Sequence, residues 1–294
     1  MKNNALEDLD LQVPSGCVFG FLGLNGAGKT TTIKLLLGLA YPTAGSGSVL
    51  GRPIGDVKAK EKIGFLPEEA YFQRHLSAID FLNFCARTLH MEPEFRKERV
   101  QQMLKLVGME DKAKTKLLHF SKGMLQRIGV AQALLNDPDL IIFDEPLTGL
   151  DPKGRTELKD IMLGLKERGK TVFFSSHILS DVQAICDRIA ILNKGRMIFQ
   201  GKVDDILEPE AMHLFCRQVP AIHIEPLEKI SGGISKDGEF WQFQADDDRQ
   251  KKEIEAYMAI NSLKLDRISI SYSDLEPVFL ERIEADNQER GLIS

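Results

Sequence analysis

Cysteine is scarce and scattered. Cys17, Cys85, Cys186 and Cys216 form no C-x-x-C pair, so neither a disulfide framework nor a zinc site is expected, and a reducing cytoplasm is the default compartment. Long apolar runs are missing as well: none approaches the ~18–20 residues that span a bilayer. The opening Met1-Lys2-Asn3-Asn4 leads into an alternating stretch rather than the apolar centre of a leader, so no signal peptide is expected. Positive charge is not in excess. The formal net charge is −5, and residues 211–294 hold 10 Lys+Arg against 16 Asp+Glu, leaving 28 against 27 for the rest. Neither part has the basic face of a general nucleic-acid binder, so no nucleic acid is expected as a partner. No internal repeat or low-complexity tract occurs. The 294 residues, 43% apolar and 28% charged, suit one large domain with a small one beside it.

The most informative stretch is Gly23-Leu24-Asn25-Gly26-Ala27-Gly28-Lys29-Thr30-Thr31. It fits G-x-x-x-x-G-K-[ST], the phosphate loop. Gly23, Gly26 and Gly28 lack Cβ, so the backbone is free to close around an anion. Successive N–H groups then point inward at the positive end of a helix. Lys29 supplies a point charge for the β- and γ-phosphates, and the Thr30 hydroxyl suits Mg²⁺. The flanks agree: residues 18–22 read as a short buried strand and residues 31–39 as an apolar helix.

Around this loop the chain reads as alternating strands and helices. Leu9, Leu11 and Val13 alternate with Asp10 and Gln12, predicting a strand; further strands are predicted near 49–50, 63–66, 140–143, 171–174, 189–192 and 197–200. Residues 71–136 carry helical spacing at 79–89, 98–107 and 124–135, with a helix start at Ser77 and Asp80. A helix over 155–167 ends at Gly169. This pattern predicts a largely parallel α/β core with an antiparallel edge and a helical insertion. A linker is placed around Leu207-Glu208-Pro209. Beyond it, strands at 221–224, 240–243 and 268–272 and helices at 249–260 and 275–283 predict a small α+β domain. The domains are thus 1–207 and 208–294.

The strand Leu140-Ile141-Ile142-Phe143 delivers Asp144 and Glu145 at its tip. Two carboxylates at the C-terminal end of an apolar strand are what a Mg²⁺–nucleotide site needs. Asp144 would hold the metal through water, and Glu145 would act as general base on the attacking water.

The order of the phosphate loop, Asp144-Glu145-Pro146, Leu147-Thr148-Gly149-Leu150-Asp151 and Ser175-Ser176-His177 resembles that of an ATP-binding cassette (ABC) transporter ATPase. Phe120-Ser121-Lys122-Gly123-Met124-Leu125-Gln126-Arg127 stands where that family carries its signature sequence. The resemblance covers about the first 205 residues. A closing stretch, Asp274-Leu275-Glu276-Pro277-Val278-Phe279-Leu280-Glu281, resembles the small C-terminal domain of drug- and antibiotic-exporter ATPases. The resemblance implies a P-loop NTPase fold with an antiparallel β subdomain, and two cassettes sandwiching two ATPs. Ser121 and Gly123 would bind the γ-phosphate in trans, His177 would contact it and hold the water, and Asp151 would line the dimer seam. It further implies a separate transmembrane permease, docked near residues 68–76, a homodimer of cassettes, and a place on the cytoplasmic face of the membrane.

Three departures accompany it. Lys122 replaces the glycine usual in the signature, as in the exporter branch. Glu68 stands where the family carries a Mg²⁺-site Gln; a carboxylate ligates Mg²⁺ but donates no hydrogen bond. The aromatic that stacks on adenine falls at or before Met1, the first aromatic here being Phe19. Ile230-Ser231-Gly232-Gly233 resembles a signature fragment without the following Gln-Arg and reads as a loop. Two readings rival the exporter subunit: a soluble cassette ATPase of translation or DNA repair, which usually brings two cassettes or long coiled coils, and a nucleotide-binding regulator, against which Lys29, Asp144, Glu145 and His177 argue.

Overall fold

Every residue of Val18–Gly23 (β1) is buried, as in a strand covered on both faces of a parallel sheet. The computed structural model describes residues 5–207 and 209–291. After β1 come the helix Lys29–Leu36 (α1), the short antiparallel pair Ser48–Val49 (β2) and Arg52–Pro53 (β3), and the one-turn helix Val57–Lys60 (α2). Ile63–Leu66 (β4) precedes three longer helices, Ala78–Thr88 (α3), Pro93–Leu106 (α4) and Lys122–Ala133 (α5). The chain then alternates through Leu140–Phe143 (β5), Pro152–Glu167 (α6), Thr171–Ser176 (β6), Leu179–Ile185 (α7), Arg188–Asn193 (β7) and Arg196–Lys202 (β8).

Six of these strands form one sheet in the order β4-β5-β6-β1-β7-β8. All neighbours are parallel except β7 and β8, the antiparallel edge that the alternation predicts. The register decides where chemistry collects. Phe21 of β1 lies beside Ser175 of β6, and Phe143 of β5 beside Phe174. The segments leaving β1, β5 and β6 therefore emerge together at the C-terminal edge of the sheet, where such folds bind ligands. Beneath them Phe173 packs between Phe19 and Phe21, with ring centroids 5.7 and 5.3 Å apart.

The helical insertion is fixed by its termini. Ser77 accepts from the Asp80 N–H and caps α3, Pro93 opens α4, and Ser121 accepts from the Met124 N–H and caps α5. At the far end of α5, Arg99 of α4 donates to the carbonyls of Leu134 and Leu135 at 2.7 and 2.9 Å. A cation there satisfies acceptors that a helix end leaves unpaired.

Two sequence readings are corrected. Residues 9–13 form no strand. Their alternation survives, since Leu9, Leu11 and Val13 pack against the core, but the ladder is supplied by a side chain. The Gln200 amide accepts from the Gln12 N–H and donates to the Gln12 carbonyl, both at 3.1 Å. The predicted strand at 221–224 is instead a 3₁₀ turn, Ala221–His223, running into the helix Ile224–Ile230 (α8), which buries Leu227. A short apolar run does not distinguish strand from helix by periodicity.

The chain divides into two compact units: residues up to Val203 together with those from Phe279 onward, and Asp204–Val278. The second contains Pro209–Cys216 (β9), α8, Gly233–Asp237 (β10), Phe240–Ala245 (β11), Asp248–Ile260 (α9) and Arg267–Tyr272 (β12). Its sheet runs β10-β11-β9-β12 with every neighbouring pair antiparallel, the β-α-β-β-α-β arrangement of ferredoxin-like domains. Leu214, Cys216, Phe243 and Ala245 of the sheet meet Leu227, Ile254 and Met258 of the helices in a core of its own. The last helix, Leu275–Glu289 (α10), starts in this unit and ends in the first. Phe279 and Ile283 are buried there, so the C-terminal stretch does not group wholly with residues 208–278.

Candidate active site

The phosphate-loop sequence makes a tight turn out of β1 into α1. Gly28 caps the helix in the left-handed region, at φ 112° and ψ 5°, with no side-chain cap. A Cβ on Gly23 would lie 2.6 Å from the Leu192 carbonyl oxygen, so only glycine fits. Leu24, Asn25, Gly26 and Thr30 face solvent, Thr31 is half-buried, and Ala27 and Lys29 are buried. The Ala27 carbonyl is held by the Gly195 N–H at 2.8 Å.

Lys29 turns back beneath the loop. Its Nζ donates to the Gly23 carbonyl at 2.7 Å and lies 3.1 Å from Glu145 Oε1, both side chains being more than nine-tenths buried. The second Glu145 oxygen meets His177 Nδ1 at 2.8 Å and accepts from Thr148 Oγ1 at 3.2 Å. Beside this pair, Asp144 accepts from Thr30 Oγ1 at 2.9 Å and from Ser175 Oγ at 2.6 Å. Ser175 Oγ in turn accepts from the Glu145 N–H at 2.9 Å. Glu145 has φ 49°, a strained backbone for a residue with a side chain. Lys29, Thr30, Asp144, Glu145 and His177 thus form one connected group, its two halves joined at Ser175.

Four expected residues stand apart. Ser121 and Asp151 cap α5 and α6, Asp151 accepting from the Gly154 N–H at 2.8 Å. Gly123 lies on the first turn of α5, and Glu68 is exposed on the loop after β4. Among the described residues, none of the four is hydrogen-bonded or ion-paired to Lys29, Thr30, Asp144 or Glu145. Glu68 is nonetheless at the same sheet edge: the Asp144 N–H donates to the Leu66 carbonyl at 2.9 Å, two residues before it. The expected adenine-stacking aromatic lies outside the described residues.

Three contacts escape a motif reading. Ser175 joins the two carboxylate positions; a small hydroxyl residue ending β6, beside the strand that carries Asp144, is the signal for it. Thr148 reaches Glu145 from the following turn. Gln126 of α5 donates to the Pro146 carbonyl at 2.9 Å from a buried position, tying the helix behind Ser121 to the loop behind Glu145. Lys122 runs along the same loop: a Cβ on Gly149 would lie 2.7 Å from its Nζ. The cysteines offer no reactive thiolate, since burial raises all four, Cys85 to about 11.

Comparison with known proteins identifies the family. The sequence profile of the family described as ABC transporter matches residues 6–148. An uncharacterised ABC transporter ATP-binding protein of Synechocystis sp. is 40% identical over 99% of this chain and 80% of that protein. The chain belongs to the ABC transporter family. The Nod factor export ATP-binding protein I of Cupriavidus pinatubonensis is 37% identical over 78% of this chain and 70% of its own length. Among solved structures, a dimeric ATP-binding cassette in a post-hydrolysis state with ADP and Pi superposes with a TM-score of 0.62 at 26% identity, covering 68% of this chain and 90% of that one. The chain is accordingly an ABC ATPase that binds and hydrolyses ATP, the ATP-binding subunit of a transporter.

Proposed function

We propose that this chain energises an exporter through ATP-driven pairing of two copies, each acting with a separate transmembrane permease. The observation that carries the reading is the buried contact of Lys29 with Glu145, whose other oxygen meets His177. Gly23, Leu24, Asn25, Gly26, Ala27, Gly28, Thr30 and Thr31 would surround the phosphates, at the positive end of α1. Lys29 would exchange Glu145 for the β- and γ-phosphates. Glu145 would then be free to take a proton from the attacking water, with His177 aligning that water and the γ-phosphate. Ser121, Gly123 and Asp151, exposed or half-exposed at two helix starts, would complete the site of the second copy.

The residues fit Mg²⁺. Among the described residues no cluster of three or more His, Cys, Asp or Glu is present, and Mg²⁺ typically takes only one or two carboxylates, with water and phosphate supplying the rest. Thr30 and Asp144 would hold it, with Glu68 as the third protein contribution. When bound, the ion neutralises charge on the β- and γ-phosphate oxygens.

Among the described residues no helix is long and apolar enough to cross a membrane; the separate permease and the place at the cytoplasmic face of the membrane are supported by membership of the ABC transporter family. Of the apolar residues expected at the docking groove, Tyr71 is 92% exposed, whereas Phe72 packs against Phe81 at 5.3 Å. Tyr71 thus offers an exposed aromatic ring to a partner, while Leu76, the third apolar residue expected there, is half-buried. The exporter assignment is supported by the Nod factor relative and by a linearmycin resistance ATP-binding protein of Bacillus subtilis.

Glu145→Gln tests the reading. The amide keeps the shape but is a poor base. Phosphate release should fall to background while ATP binding persists, and the variant should elute as a dimer with Mg-ATP. Hydrolysis at the parent rate refutes Glu145 as base. Affinity purification of this variant from detergent-solubilised host membranes should recover a stoichiometric polytopic protein; recovery only with ribosomes or nucleic-acid enzymes refutes the transporter role.

A further inference from the structure

The final turns of α10 carry a buried polar cluster that ATP hydrolysis, as described above, does not use. Asn193 ends β7 and is 2% exposed. Its amide donates to Asp286 Oδ2 at 2.7 Å and to Asn287 Oδ1 at 3.2 Å, and both partners are buried. Arg196 and Arg290 flank the Asp286 carboxylate at 3.8 and 3.7 Å, and Arg290 also lies 3.5 Å from Glu7. Apolar anchors dock the same helix independently. Phe279 and Ile283 are buried, and the Arg282 guanidinium stacks over Phe199 at 4.7 Å. Burial of a carboxylate and two amides adds a desolvation cost to a docking that the apolar residues already favour. Such groups fix direction and register more than they add stability.

What they fix is the turn beneath the phosphate loop. The residue before Asn193 is Leu192, whose carbonyl oxygen abuts Gly23 and whose side chain abuts Gly28. Two residues after Asn193, the Gly195 N–H donates to the Ala27 carbonyl, and the Gly195 carbonyl accepts from the Glu7 N–H, each at 2.8 Å. The segment 192–195 therefore touches the phosphate loop at three of its residues while α10 holds that segment through Asn193.

We propose that Asn193, Asp286 and Asn287 are positioning residues for ATP: they brace the 192–195 turn so that the phosphate loop is preformed for the triphosphate. ATP affinity in this chain then depends on its C-terminal helix, α10, one of the two places where the chain passes between the units. The inference rests on the reading of Gly23 to Thr31 as the ATP site. Preorganisation of this kind acts on binding, because a loop already in its bound form loses less freedom on meeting its ligand.

The test compares Asp286→Ala with Asp286→Asn in the full chain. The asparagine keeps an acceptor for the Asn193 amide and discards only the charge beside Arg196 and Arg290; the alanine leaves that amide buried without its closer partner. Kd for ATP is measured by titration in the Glu145→Gln background, and KM and kcat with Glu145 intact, well below the melting temperature. Asp286→Ala should raise Kd and KM by about tenfold with kcat within about twofold, and Asp286→Asn should stay within about threefold of its parent. A lowered melting temperature with unchanged Kd would make the cluster merely structural and overturn the proposal. If Asp286→Ala yields no folded protein, Asn193→Ala is read by the same criteria. A parent that binds no ATP at all overturns the reading of the loop, and the proposal with it; a parent that binds beside variants that bind equally well overturns the proposal alone.

Discussion

An alanine at position 175 removes one oxygen that serves two buried groups. Ser175 has no exposed surface, donates to Asp144 at 2.6 Å and accepts from the Glu145 N–H at 2.9 Å. A hydrogen bond to a carboxylate contributes about 1.5–3 kcal/mol, and a buried N–H left unpaired costs about 1–3 kcal/mol. Because both losses pass through a single atom they do not add fully, and about 3 kcal/mol is expected for the pair. For a unit of this size that lowers the melting temperature by about 6–12 °C. The effect on catalysis has a separate origin. Glu145 is held at φ 49°, a conformation costing about 1–3 kcal/mol that persists only while its surroundings enforce it. Without the Ser175 acceptor that backbone relaxes and carries the carboxylate away from His177. If Glu145 is the general base proposed above, its misplacement by a fraction of an ångström should lower kcat at least ~tenfold. ATP affinity, set by the phosphate loop, should change little. A thermal melt, phosphate release at saturating ATP and a nucleotide titration read the three quantities. A melt within about 1 °C of the parent, or turnover within about twofold, contradicts the assignment of Ser175 as the joint between the two carboxylate positions.

Arg99→Ala should destabilise the helical insertion by about 2–3 kcal/mol, since one cation caps both Leu134 and Leu135; amide exchange confined to the end of α5 should quicken, and an unaltered exchange pattern refutes the capping role. Cys85 is pushed up to about 11 by burial, so its alkylation at pH 8 should be far slower than that of a free thiol and should accelerate toward pH 11. The sign follows from the raised value. The fold favours the neutral thiol, so its contribution is fully present below the ordinary thiol range and is lost as pH rises toward about 11. The urea midpoint of the parent should fall with pH in that window more steeply than that of Cys85→Ala. Equal slopes contradict the burial argument.

The site was legible where chemistry demands particular residues in a fixed order, and less so where geometry alone decides. Lys29, Thr30, Asp144, Glu145 and His177 are separated by up to 148 positions yet meet within hydrogen-bonding distance. The parallel order of β5, β6 and β1 brings their C-terminal ends side by side, and each strand announces itself as a short, largely apolar run. Residues 9–13 show the opposite case. Their alternation is that of a strand, and side-chain burial follows it, but strand pairing needs a backbone partner that no local pattern specifies. A single glutamine amide supplies one rung instead. Asn193, Asp286 and Asn287 were invisible for a related reason. Each is an ordinary polar residue in its own segment, and only the return of α10 across more than ninety positions buries them together. Ser175 lies between these extremes. Its motif was read, but its role follows only from the register that sets it beside Phe21 and next to the tip of β5. Sequence motifs identify the groups proposed to meet the nucleotide. The groups that hold them in place are selected by the fold, and their substitution should separate positioning from chemistry.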